Sequence, residues 1–146
     1  MQDLPKKQKK SSSKKPKKVV PESSEDPLLK DICQAIVDKK GFNIVVLDVR
    51  EVSNMTDYFI IAEGNVDRHV TALAEHVTDV LREKGIKPTH VEGLREGNWI
   101  VLDYLDLMVH FFVPELRQYY SLEEVWKQGK IVNVSVDYEK KPQKSS

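Results

Sequence analysis

Only one cysteine, Cys33, stands among the 146 residues, so no disulfide can form within the chain. It falls in a helical pattern with Leu29, Ile32, Ile36 and Val37, which makes it a small buried hydrophobe rather than a nucleophile or metal ligand. Long apolar runs are missing as well: stretches such as IVVL and FIIA are far short of the about 20 residues that cross a bilayer. The leading MQDLPKKQKKSSSKKPKK is followed by no hydrophobic signal region, and it lacks the arginines and apolar stripe of a transit peptide. A cytoplasmic location without a membrane partner is expected. Also absent are a glycine-rich phosphate loop, a nucleophile beside a base, and a second metal-ligand motif. No catalytic residue, metal or cofactor is therefore expected.

What is present is charge, and it is segregated. The net charge of zero divides into eight lysines against one acid over residues 1–18, leaving 15 basic and 22 acidic side chains, a net of −7, for residues 19–146. An acidic body prefers basic partners, while a lysine tail adds salt-sensitive, sequence-blind affinity for phosphate. The combination suits a ribonucleoprotein setting, with weak rRNA contact through the tail, although both features also serve solubility alone.

Residues 1–25 carry almost no apolar side chains and are expected to be a disordered tail, because little burial is available to offset the entropy of ordering. One α/β domain is expected over residues 26–137, followed by a polar tail at 138–146. Asp26 caps a helix starting at Pro27, with a stripe of Leu28, Leu29, Ile32, Cys33, Ile36 and Val37 that Gly41 stops. NIVVLDV, Asn43 to Val49, is almost continuously apolar and β-branched, as in a central strand. A second strand spans Asp57 to Glu63, and Gly64 with Asn65 turns into a helix near Asp67 to Lys84, striped by Val70, Leu73, Ala74, Val77 and Leu81. His69 and His76 lie on its polar side without the spacing of a metal pair. A short strand at Thr89 to Glu92 and a loop from Gly93 to Gly97 follow. Pro114 opens a helical stretch through Tyr119, and Ser121 with Glu124 has capping-box spacing before Leu122, Val125 and Trp126. The segment IVNVSVDY either adds an edge strand or frays. This order of elements predicts a mixed sheet of about five strands with helices packed on it.

The most informative segment is NWIVLDYLDLMVHFF, Asn98 to Phe112. As a hairpin around Leu105 and Asp106 it places Ile100, Leu102, Tyr104, Leu107, Val109 and Phe111 on a core face. The other face carries Trp99, Val101, Asp103, Met108, His110 and Phe112. Aromatic and thioether groups beside a carboxylate and an imidazole read as a docking face rather than a second core. Glu92 and Asp103, expected beside Trp99, would meet lysine or arginine on a partner. Asp106, in the turn, is expected with Asp103 to be a docking or structural carboxylate; with His110 the two also admit a metal or acid–base reading, and Trp99 and His110 each admit a packing role. Tyr58, Arg117, Tyr120 and Trp126 are expected to pack the structure or to form a dimer contact, with Arg117 a candidate partner for a carboxylate.

The ordered pieces Thr56-Asp57-Tyr58-Phe59, Gly64 with Arg68-His69-Val70, Glu92-Gly93 before Trp99, Asp103 and Asp106 before Val109-His110, and Arg117-x-Tyr119-Tyr120-x-Leu122-Glu123-x-x-Trp126 resemble the ribosomal silencing factor, or Iojap, family. The resemblance covers roughly residues 27–128. It implies a nucleotidyltransferase-like α/β fold and a factor, often a homodimer when free, that binds ribosomal protein fourteen of the large subunit. Occupying that surface would block joining of the small subunit and repress translation. A metal-dependent nucleotidyltransferase using Asp103 and Asp106 is the alternative. Leu105 stands where the family usually has glycine, which argues against a two-residue primed turn and for a wider loop.

Overall fold

Asp26 begins the described chain, and its carboxylate accepts the Leu28 N–H at 2.9 Å, the N-cap expected ahead of Pro27. The computed structural model describes residues 26–119 and 129–138. Expectations for residues 1–25 and 139–146, and for Tyr120, Ser121, Leu122, Glu124, Val125 and Trp126, fall outside these. The elements are α1 (Pro27–Asp38), β1 (Phe42–Asp48), β2 (Tyr58–Glu63), α2 (Asp67–Glu83), β3 (His90–Glu92), β4 (Trp99–Asp103), β5 (Leu107–Phe112), α3 (Pro114–Tyr119) and β6 (Lys130–Ile131).

They form a mixed α+β architecture, a sheet in the order β3-β4-β5-β2-β1-β6 with three helices among the described residues. The β2–β5 pair is parallel and the other pairs are antiparallel. The sheet has six strands rather than about five because Lys130 and Ile131 pair with Asp48 and Leu47. Beyond this short edge, Val132, Val134 and Val136 pack on the main core, and the Gln34 side chain both donates to and accepts from the Asp137 backbone. The segment IVNVSVDY is thus held along α1 rather than frayed. NIVVLDV is not central, since only two-residue β6 lies outside β1.

The amphipathic stripes of α1 and α2 cover one sheet face, burying Leu29, Ile32, Ile36, Leu73, Val77 and Leu81 against Ile60, Ile100, Leu102, Val109 and Phe111. Cys33 is buried with them, and loss of hydration pushes its thiol up to about 12, so it is inert. The left-handed residue after α1 is Lys40 (φ 70), not Gly41. Gly41 is needed for space, because a Cβ there would lie 2.4 Å from Ile36 Cγ2. His69 ties α2 to the end of α1 and to the turn that precedes α2: its Nδ1 accepts the Asn65 N–H and its Nε2 donates to Lys39 O, each at 2.8 Å.

Candidate partner-docking face

Strand alternation and register order the opposite sheet face into three rows. Across the middle run Glu92, Val101, His110, Ile61 and Val45. One end carries His90, Asp103, Met108, Phe59 and Leu47, and the other Trp99, Phe112 and Glu63. Glu92, Trp99, Asp103, Met108 and His110 therefore do share a face. Trp99 and Asp103 are not neighbours on it, however. Four steps along the strand separate them by about 13 Å, so the indole and the carboxylate occupy opposite ends. Glu92 pairs with Val101 and its carboxylate meets the exposed His90 ring at 2.7 Å.

Half of this face is a second core, contrary to the sequence expectation. Phe112 is fully buried with Leu47, Val49 and Ile61, and Val45, Phe59, Trp99 and Leu116 pack around them. The reason is α3, which follows β5 directly at Pro114 and turns Leu116 and Arg117 onto the sheet. Arg117 Nη1 donates to Glu63 Oε2 at 2.8 Å and to Asn43 O at 2.7 Å, and Asn43 Nδ2 donates to Glu63 Oε1 at 3.2 Å. Arg117 and Glu63 are both buried, so Arg117 locks helix to sheet. Glu63 and Asn43 were not singled out from sequence, and only the β1–β2 pairing brings them to Arg117.

The other half, toward β3 and β4, keeps Trp99, Val101, Asp103, Met108 and His110 partly accessible. Its centre is aromatic. Trp99 Nε1 donates to His110 Nδ1 at 3.3 Å, and the His110 ring stacks at 6.1 Å on Phe112 and meets Phe59 edge-on at 5.4 Å. Loss of hydration among these rings lowers the His110 pKa to about 4, so the imidazole is neutral at pH 7 with its proton on Nε2. Gly93 makes the approach of Trp99 possible: at φ +90, a Cβ there would meet Trp99 O at 1.9 Å.

Tyr58 lies on the helix-covered face, packed on the main core with the Arg50 guanidinium 5.4 Å above its ring. Arg50 is itself held by Asp48 through two side-chain hydrogen bonds. Asp103 Oδ1 accepts the Leu105 N–H at 2.9 Å and so braces the hairpin turn. Asp106 is exposed, and its carbonyl accepts the N–H groups of Asp57 (2.9 Å) and Tyr58 (3.2 Å). Among the described residues no three His, Cys, Asp or Glu side chains are grouped to hold a metal ion. No described helix is long and apolar enough to cross a membrane.

The turn itself departs from the expected wider loop. Leu105 takes φ +73, and the ladder runs unbroken to Asp103 and Met108, leaving a tight connection. Braces from Asp103 on one side and from Asp57 and Tyr58 on the other hold a geometry that leucine alone disfavours.

Residues 21–146 match the family described as "Ribosomal silencing factor during starvation". The chain belongs to the ribosomal silencing factor family. A ribosomal silencing factor of Bacillus subtilis is 36% identical over 107 residues, covering 73% of this chain and 91% of the relative. A mouse relative named "Mitochondrial assembly of ribosomal large subunit protein 1" is 28% identical over 87 residues, covering 58% of this chain and 38% of its own length. A crystal structure of a Chromobacterium violaceum protein superposes with a TM-score of 0.67 at 34% identity, covering 69% of this chain and 84% of that one.

Proposed function

We propose that this silencing-factor chain acts without catalysis, by occupying a surface of the large ribosomal subunit on ribosomal protein fourteen and so excluding the small subunit. The observation that carries the reading is the half of the sheet that no described element covers, where a partly accessible Trp99 and a neutral His110 stand among Met108, Val101 and the carboxylates of Glu92 and Asp103. An indole of this kind supplies anchor energy, and the flanking acids complement a basic ribosomal protein, speeding encounter and fixing register. The names of the relatives support the ribosome as the setting. The carboxylate of Asp103 is engaged in bracing the turn, which favours docking over metal-dependent chemistry at Asp103 and Asp106.

Cosedimentation with purified large subunits tests this directly. Trp99→Ala and Asp103→Lys should each abolish binding, and full retention by both would remove the face from consideration. The Lys-rich residues 1–18 add weak contact with rRNA phosphate in this scheme, so deleting residues 1–25 should leave binding but flatten its salt dependence. Free protein is a homodimer in the same scheme, to be checked by its mass in solution. The function is exercised in the cytoplasm.

A further inference from the structure

Leucine rarely takes positive φ, and an exposed one that does so gains no burial in return. Leu105 does both, at φ +73 with 62% of its surface open. Its conformation is enforced from every side. Tyr104 donates its N–H to Leu107 O, Asp106 donates its N–H back to Tyr104 O, and Asp103 Oδ1 takes the N–H of Leu105 itself, each at 2.9 Å. The Asp106 carbonyl is then tied to Tyr58, the first residue of β2, and to Asp57 just before it. The result is an apolar side chain on a rigid, pre-organised tip, held at a conformational cost that glycine or asparagine would avoid. Met55, 78% exposed, precedes by two residues the Asp57 that is bonded to Asp106, so a second apolar side chain stands in the adjoining loop. Acidic residues flank both apolar side chains in the chain: Asp103 and Asp106 on either side of Leu105, with Asp106 exposed, and the exposed Asp57 two residues after Met55.

We infer that Leu105 is a partner contact: the strained hairpin tip inserts its isobutyl group into an apolar pocket, rimmed by lysine or arginine, on the protein partner. The apolar tip with its acidic rim is complementary in shape and charge to such a pocket, and pre-organisation lowers the entropy lost on docking. This rests on the large-subunit reading above and adds to it a second anchor, at the far end of the hairpin from Trp99.

The test uses the full chain and purified large subunits. Leu105→Gly relieves the turn and Leu105→Asn keeps a residue that tolerates positive φ, while both delete the apolar group. Each should weaken large-subunit binding at least about tenfold, the loss expected for one buried leucine side chain, with a melting temperature no lower than that of the original chain. Binding retained by both variants while Trp99→Ala loses it overturns the Leu105 contact and leaves the docking face standing. Binding retained by all three overturns both readings. Mass measurement of the free variants addresses the other occupant: a dimer of the original chain that falls apart in Leu105→Gly assigns the tip to self-association and overturns the inference.

Discussion

The Trp99 indole N–H and the His110 Nδ1 meet at 3.3 Å across the β4–β5 ladder, and this bond makes the two rings one unit. His110 can accept from Trp99 only while its Nδ1 is unprotonated. A proton there would break the bond and place a charge among Phe59, Trp99 and Phe112.

A pH dependence of stability follows. The folded-state value for His110, about 4, lies below the ordinary 6.5, so between these values the unfolded chain binds more protons. Its stabilising contribution is full above pH 6.5 and is lost as pH falls toward 4. Urea unfolding at pH 7.5 and pH 5 should differ by about 2 kcal/mol from this group alone. His110→Phe should remove that part of the difference, and an unchanged slope in this variant would refute the assignment.

Arg117 and Glu63 form a buried ion pair. Arg117→Met should cost about 3–5 kcal/mol, because it strands the Glu63 carboxylate. Adding Glu63→Leu should recover much of that loss. Chemical denaturation of the two single variants and the double variant measures the coupling, and additive losses would contradict it.

The Tyr104 hydroxyl is buried beside Thr78 without a well-formed hydrogen bond among the described residues, and Thr78 Oγ1 itself donates to Ala74 O. Tyr104→Phe removes an uncompensated polar group while keeping the ring in the core. Stability should be unchanged or higher by up to about 1 kcal/mol. A loss of more than about 1 kcal/mol in thermal denaturation would reveal a partner for the hydroxyl.

Gly93→Ala places a methyl group against the Trp99 carbonyl at a positive φ. The loop must move, and a destabilisation of about 2 kcal/mol or more is expected. Displacement of Trp99 should also reduce large-subunit binding. Wild-type stability in this variant would mean that the Glu92-to-Trp99 loop relaxes without strain.

Local signals were sufficient wherever one element contained its own cause. Asp26 capping Pro27, the stripes of α1 and α2, and the alternation that sends Ile100, Leu102, Val109 and Phe111 inward all follow from periodicity and end chemistry. The sequence likewise marked which hairpin residues share a face, since alternation alone decides that. What lies over a face is a different matter. Phe112 is buried and Trp99 half-accessible on the same strand pair, because α3 folds onto the β1–β2 side of the sheet, where Arg117 finds Glu63 and Asn43. Their sequence separations of 54 and 74 residues put that pairing beyond any local pattern.

Leu105 shows the same division in one residue. Its side chain disfavours a positive φ, so local preference points to a wider loop. The tight turn exists because the Asp106 carbonyl is tied to Asp57 and Tyr58, and because β5 lies parallel to β2. The amino-acid sequence by itself determined the helices, the strands and the polarity of each face, which depend on neighbours within a few residues. Only the tertiary structure decided which strands pair, which half of the second face stays partly accessible and which backbone geometry the hairpin tip accepts, because those depend on contacts between residues distant in the chain.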